Sequence, residues 1–157
     1  MSNTLKVTAP EGLPFIDTER EFDAPVEAVF NAHKDAALVA QWMGPDGYDM
    51  EVPEWDFTSG GRWRFYNIDG DERYEFRGTF HTVRENEFAI QTFEFLGFPD
   101  VVSIESMTFT DLGDGRTRLT GHSVWPSVES RDGMVSSGME KGMSEGYDRL
   151  EKIITGA

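Results

Sequence analysis

Cysteine is absent from this 157-residue chain, which excludes a disulfide framework, a thiolate nucleophile and a zinc–thiolate site. Basic residues are scarce: 14 Lys and Arg stand against 29 Asp and Glu, a formal net charge of −15. A surface of that sign repels nucleic acid and anionic membranes alike, but it says little about a neutral ligand. No apolar run approaches the roughly 20 residues that cross a bilayer as a helix. Residues 1–12 lack the basic flank and apolar stretch of a signal peptide. They are expected to form a loose lead-in to a single cytoplasmic domain over 13–157. The three histidines, His33, His81 and His122, show no ligand-pair spacing, so neither a metal site nor a cofactor is expected.

Aromatic rings are plentiful, with 12 Phe, 4 Trp and 4 Tyr making 13% of the chain, and they must line a core or a pocket. The C-terminal segment is the natural counterpart. From Val135 to Ile154, Val135, Met139, Met143, Leu150, Ile153 and Ile154 recur at helical spacing on one stripe. Gly142 and Gly146 fall inside that stripe and Gly138 at its edge. Each glycine in a helix interior costs about 1 kcal/mol relative to alanine. Two arrangements would offset that loss: another backbone packed very close, or space left against the helix for a ligand.

Upstream, Leu13 to Asp23 reads as a strand, with Asp17, Glu19, Glu21 and Asp23 alternating against Ile16, Thr18, Arg20 and Phe22. Pro25 suits the start of a short helix carrying Val26, Val29, Phe30 and His33 on one face, with Glu27 in its first turn. A second short helix, Asp35 to Met43, stops at Gly44-Pro45. From Tyr48 to Trp125, turn residues at Asp69-Gly70, Arg84-Glu85-Asn86, Gly97-Phe98-Pro99-Asp100 and Asp114-Gly115 separate about six further strands. One long helix, from about Val128 to Thr155, completes an α+β arrangement with its helices on one side of an antiparallel sheet.

Strand parity predicts the inner face. Trp63 and Phe65 share a side, and a tight turn at Gly70-Asp71 pairs Phe65 with Phe76. That brings Tyr74, Phe76 and Phe80 to the same side; the next turn adds Phe93 and Phe95, then Met107 and Phe109. The loop before Met107 could shift register by one and flip the face. Glu94, Glu105, Arg64 and Arg77 are expected on the solvated face.

The order and spacing of several short motifs resemble a known family: Phe22-Asp23-Ala24-Pro25-Val26-Glu27-Ala28-Val29-Phe30, Trp42-Met43-Gly44-Pro45 and Gly60-Gly61-Arg62-Trp63-Arg64-Phe65. Gly78-Thr79-Phe80, the Thr117–Leu119 strand followed by His122, and Gly138-Met139-Glu140-Lys141-Gly142 continue the likeness. Together they resemble the bacterial relatives of the activator of heat-shock-protein-90 ATPase, in the START-like (SRPBCC) superfamily, over roughly Arg20 to Ile153. The resemblance implies the helix-grip fold: a curved antiparallel sheet of about seven strands around a long C-terminal helix, with two short helices after the first strand, enclosing a cavity. Cavities of the wider superfamily bind lipids, sterols, polyketides and other apolar molecules. The resemblance supplies no catalytic set.

Patterns of other chemistries fail on inspection. Asn67-Ile68-Asp69-Gly70-Asp71 begins like a calcium loop, but its sixth position is Glu72 and its twelfth Gly78. Gly121-His122-Ser123-Val124-Trp125 begins like a nucleophile elbow, yet ends in Trp125 where glycine is needed. The first functional reading is a small-molecule binding protein with an apolar or aromatic ligand. Its walls would be Trp42, Trp63, Phe65, Tyr74, Phe76, Phe93, Phe95, Met107, Phe109, His122, Met139 and Met143, with Gly142 and Gly146 making room. A second reading is a cyclase- or dehydratase-type enzyme of the same superfamily, with His122 or Tyr74 handling protons. A third is a chaperone accessory protein. Oligomeric state stays open, a homodimer included.

Overall fold

The computed structural model describes residues 3–156. Its strands are β1 (Lys6–Thr8), β2 (Phe15–Phe22), β3 (Asp49–Trp55), β4 (Arg62–Asp69), β5 (Glu72–Arg84), β6 (Phe88–Phe95), β7 (Val102–Gly113) and β8 (Arg116–Val124). Helices α1 (Val26–Lys34) and α2 (Ala36–Trp42) lie between β2 and β3, and α3 (Val128–Ser136) and α4 (Met139–Thr155) follow β8. The strands form one antiparallel sheet ordered β1-β2-β8-β7-β6-β5-β4-β3. This is the expected helix-grip plan with one strand more. The addition, β1, lies in the stretch expected to be a loose lead-in, and pairs Lys6 with Glu19 and Thr8 with Asp17.

The turn chemistry sets the register. Gly70 takes a positive φ of 61°, and the hairpin it closes pairs Asp69 with Glu72 and hence Phe65 with Phe76. Phe76 in turn pairs with Phe95. The sheet's inner face therefore carries a connected row of rings, with Phe65–Phe76 and Phe76–Phe95 centroids each 4.9 Å apart. Both outer edges are blunted. β1 is three residues long, and β3 carries Pro53 where its pairing with β4 slips between Glu51 and Glu54.

The expected single helix over 128–155 is two. Gly138 adopts a left-handed φ of 89° between α3 and α4, a conformation that side chains disfavour, and the helix breaks there. Val135 consequently leaves the stripe and is 40% exposed. α3 begins in a capping box between Ser127 and Ser130, and its buried Arg131 donates to the carbonyls of Pro10 and Phe15 at 2.8 Å each, fastening it to β2.

α4 presents Gly146, Tyr147 and Leu150 to the core; the first two precede Leu150 by four and three residues, and so share with it one face of an amphipathic helix. Arg20 fixes it to β2. Although that guanidinium is only 2% exposed, it reaches Asp148 at 2.9 Å and Glu151 at 2.8 Å. From the same turn of α4, Arg149 donates to the carbonyls of Trp42 (3.0 Å) and Gly44 and pairs with Asp46, tying the helix to the end of α2. The core beneath centres on Phe22, Phe30, Phe57, Phe80, Phe109 and Leu150.

Candidate functional site

Between the sheet's inner face and α4 lies a pocket of about 630 Å³. Its floor is the ring row: Trp63 and Phe65 from β4, Phe76 from β5, Phe93 and Phe95 from β6, and Met107 from β7. Trp42 closes one side, and Met139, Gly142, Met143 and Gly146 face the floor from α4. Eleven of the fourteen residues named from the sequence thus share one lining.

The other three are placed elsewhere. Tyr74 pairs with Asn67, and its ring lies near Tyr48 at 6.2 Å and Phe95 at 6.4 Å, outside the lining. Phe109 inserts between Phe30 and His33, at 5.2 Å from each, and belongs to the core beneath α1. His122 occupies the opposite parity on β8 from buried Ser123, so it faces out of the sheet, where its Nδ1 lies 2.6 Å from the Asp17 carboxylate. Neither proton-handling candidate named from the sequence reaches the pocket.

The two glycines of the stripe play different parts. A Cβ on Gly146 would sit 3.0 Å from the Trp42 carbonyl oxygen, so this glycine permits close backbone packing between α4 and α2. A Cβ on Gly142 would meet only the Pro45 ring, at 3.9 Å, so its missing side chain leaves room in the pocket. Close backbone packing thus holds at Gly146, and the space beside Gly142 is open.

Polar groups complete the lining, and sequence parity had assigned the chief one wrongly. Glu105, expected on the solvated face, is two residues from Met107 and shares its side of β7, so it points into the pocket. Gln91, its cross-strand partner, donates Nε2–H to its Oε1 at 3.0 Å. Burial pushes the Glu105 carboxyl up to about 7, with the Gln91 hydrogen bond opposing. Opposite on β8 is Ser123, whose Oγ accepts from the Trp125 indole at 3.1 Å. Tyr147, four residues beyond Met143 on the α4 stripe, also lines the pocket. Burial raises its phenol, the nearby Glu105 charge adds to this, and Arg20 opposes it.

His33 enters from α1. Its ring is buried between Trp42 and Phe109, and desolvation lowers its pKa to about 4, partly offset by a hydrogen bond to the Val29 carbonyl. The neutral ring's Nδ1, 2.8 Å from Val29 O, must carry the proton because a carbonyl only accepts. Nε2 is then a bare acceptor, without a partner among the described residues. Among the described residues no group of three or more His, Asp or Glu is placed to hold a metal ion.

Residues 23–155 match the family described as activator of Hsp90 ATPase homolog 1-like protein. No curated protein matches the chain in sequence. Among solved structures, the fold is shared with protein Ms6760 of Mycobacterium smegmatis, with 24% identity over 99% of both chains and a TM-score of 0.87. An Arthrobacter aurescens protein is 23% identical over 97% of this chain and 92% of that one, with a TM-score of 0.86. DynU16, from the dynemicin biosynthetic locus, is 23% identical over 91% of this chain and 48% of its own, with a TM-score of 0.66.

Proposed function

We propose, since this chain belongs to the activator of Hsp90 ATPase homolog 1-like family, that it is a small-molecule binding protein holding an apolar, aromatic ligand between its sheet and α4. The observation that carries this reading is the ring-lined pocket of about 630 Å³ with Gly142 left unfilled above it. That volume falls within the roughly 300–1,000 Å³ usual for small-molecule sites, and a mostly apolar lining with a few convergent polar groups is their usual composition. Trp63, Phe65, Phe76 and Phe93 would stack against the ligand, while Met139 and Met143 would adapt to its outline.

The enzyme reading loses the groups on which it rested, because His122 and Tyr74 lie outside the lining. Single-domain organisation and cytoplasmic residence belong to the same proposal, and no helix among the described residues is long and apolar enough to cross a membrane. The net charge of −15 disfavours nucleic acid as a partner.

Native mass spectrometry of freshly purified protein, paired with titration of an environment-sensitive apolar dye, tests the reading. One dye per chain and a raised melting temperature are expected, with binding lost in Gly142→Leu while its circular dichroism is unchanged. Failure of any apolar probe to bind the folded wild-type protein would overturn it.

A further inference from the structure

The pocket's charge is one-sided. Among the described residues its lining holds two carboxylates, Glu105 and Glu129, and no lysine or arginine. The arginines of β2, α3 and α4 are committed elsewhere: Arg20 to Asp148 and Glu151, Arg149 to Asp46, and Arg131 to Asp132 and two backbone carbonyls. Glu105 receives one hydrogen bond, from the neutral amide of Gln91, and no cation. His33 Nε2, on the helical side, is a buried acceptor with no donor among the described residues. A buried acceptor without a donor and a desolvated carboxylate without a counter-charge are both costly, and a ligand that brings N–H groups and positive charge would relieve both.

We propose that the pocket selects an organic cation: a protonated amine on an aromatic body, its ammonium seated on Glu105 and its rings on the aromatic floor. This deepens the binding reading above and rests on it. Phe93 on β6 and Trp125, the residue just past β8, each stand two residues beyond the partners of Glu105, Gln91 and Ser123. Their rings stand within reach of a cation held by the carboxylate, and the negative face of an aromatic ring attracts such a cation. The charge of −15 steers cations inward and repels carboxylate ligands of the same shape.

The groups around Glu105 supply no cation to pair with it near neutrality. Tyr147 from α4 stays a neutral phenol, His33 from α1 stays neutral down to about pH 4, Gln91 and Ser123 do not ionise, and Glu129 from α3 is exposed. An ammonium pairs only with ionised Glu105, so its affinity should fall as protons compete below about pH 7.

Three fluorescent probes of one body test this: pyrenemethylamine, pyrenemethanol and pyrenecarboxylate, titrated into the wild-type protein and Glu105→Gln. The amine should bind about tenfold more tightly than the alcohol, the carboxylate most weakly, and Glu105→Gln should collapse the amine-to-alcohol ratio toward one. In the wild-type protein alone, that ratio should shrink by up to about tenfold per pH unit below about 7 and level off above it. The pH profile decides the matter if the variant fails to fold. An amine no tighter than the alcohol, a ratio indifferent to pH, or a preference surviving in folded Glu105→Gln overturns the cation proposal and leaves the pocket reading standing. Absence of binding by all three probes overturns both.

Discussion

Gly146 lies against the backbone of Trp42 so closely that a Cβ would stand 3.0 Å from that residue's carbonyl oxygen, while Gly142, one turn earlier on the same stripe, has only Pro45 at 3.9 Å. Alanine should therefore divide the two sites. Gly142→Ala is expected to gain about 0.5–1 kcal/mol in urea unfolding from helix propensity. Gly146→Ala should gain nothing, and Gly146→Leu should lose at least about 1–3 kcal/mol through overpacking against a backbone that cannot yield. Equal responses at both positions would refute the assignment of packing to one and space to the other.

Acid should weaken the fold through His33. Its folded pKa of about 4 lies below the unfolded value of 6.5, so the unfolded chain takes up a proton that the native ring refuses. The stability it protects is whole above about pH 6.5 and is lost progressively down to about pH 4, roughly 3 kcal/mol in all. Denaturant unfolding of wild type and His33→Gln at matched pH values should show the variant losing less over that interval.

Glu105 works with the opposite sign. Its folded pKa of about 7 exceeds the unfolded 4.5, so the native state holds the extra proton. The contribution is whole below about pH 4.5 and is lost as pH rises through about 7. Ligand-free Glu105→Gln should consequently unfold at a higher temperature than wild type at about pH 8, with the difference narrowing toward about pH 5.

Replacing Arg20 tests the clamp on α4. Arg20→Met leaves Glu151 without its cationic partner at the edge of the core, held only by neutral N–H donors from Asn3 and Asp23, and about 3 kcal/mol should be lost. Asp148→Asn should cost less than about 1 kcal/mol, because Asp148 is more than half exposed.

His122→Ala should leave probe affinity unchanged, because the imidazole sits on the outer face beside Asp17. A loss of binding in that variant would contradict the pocket's placement.

Much of the sheet was legible because period-two alternation and turn residues act locally. The Gly70 turn fixed Phe65 opposite Phe76, and parity carried the ring row through Phe93 and Phe95. The errors came where a local rule met a non-local cause. Glu105 was given outward parity together with Glu94, Arg64 and Arg77, although its two-residue spacing from Met107 demands the same side. Tyr74 and Phe109 have inward parity, but pocket membership depends on where along the curved sheet the helices cross, and alternation does not encode that. Tyr147 sat at i+4 from Met143 and could have been read from the stripe. The break at Gly138 could not, since a glycine in a periodic helix has the same appearance whether its φ is negative or 89°.

The two edges of the sheet bear on how copies of this chain could meet. A three-residue β1 offers too short a template for a foreign strand, and at the far side Pro53 withholds an amide where the ladder is already out of step. Strand-by-strand extension from one molecule to the next, the route to continuous intermolecular sheets and fibrils, is thus obstructed at both ends. Any self-association has to join surface to surface through side chains, and between two bodies of charge −15 it would grow stronger with added salt.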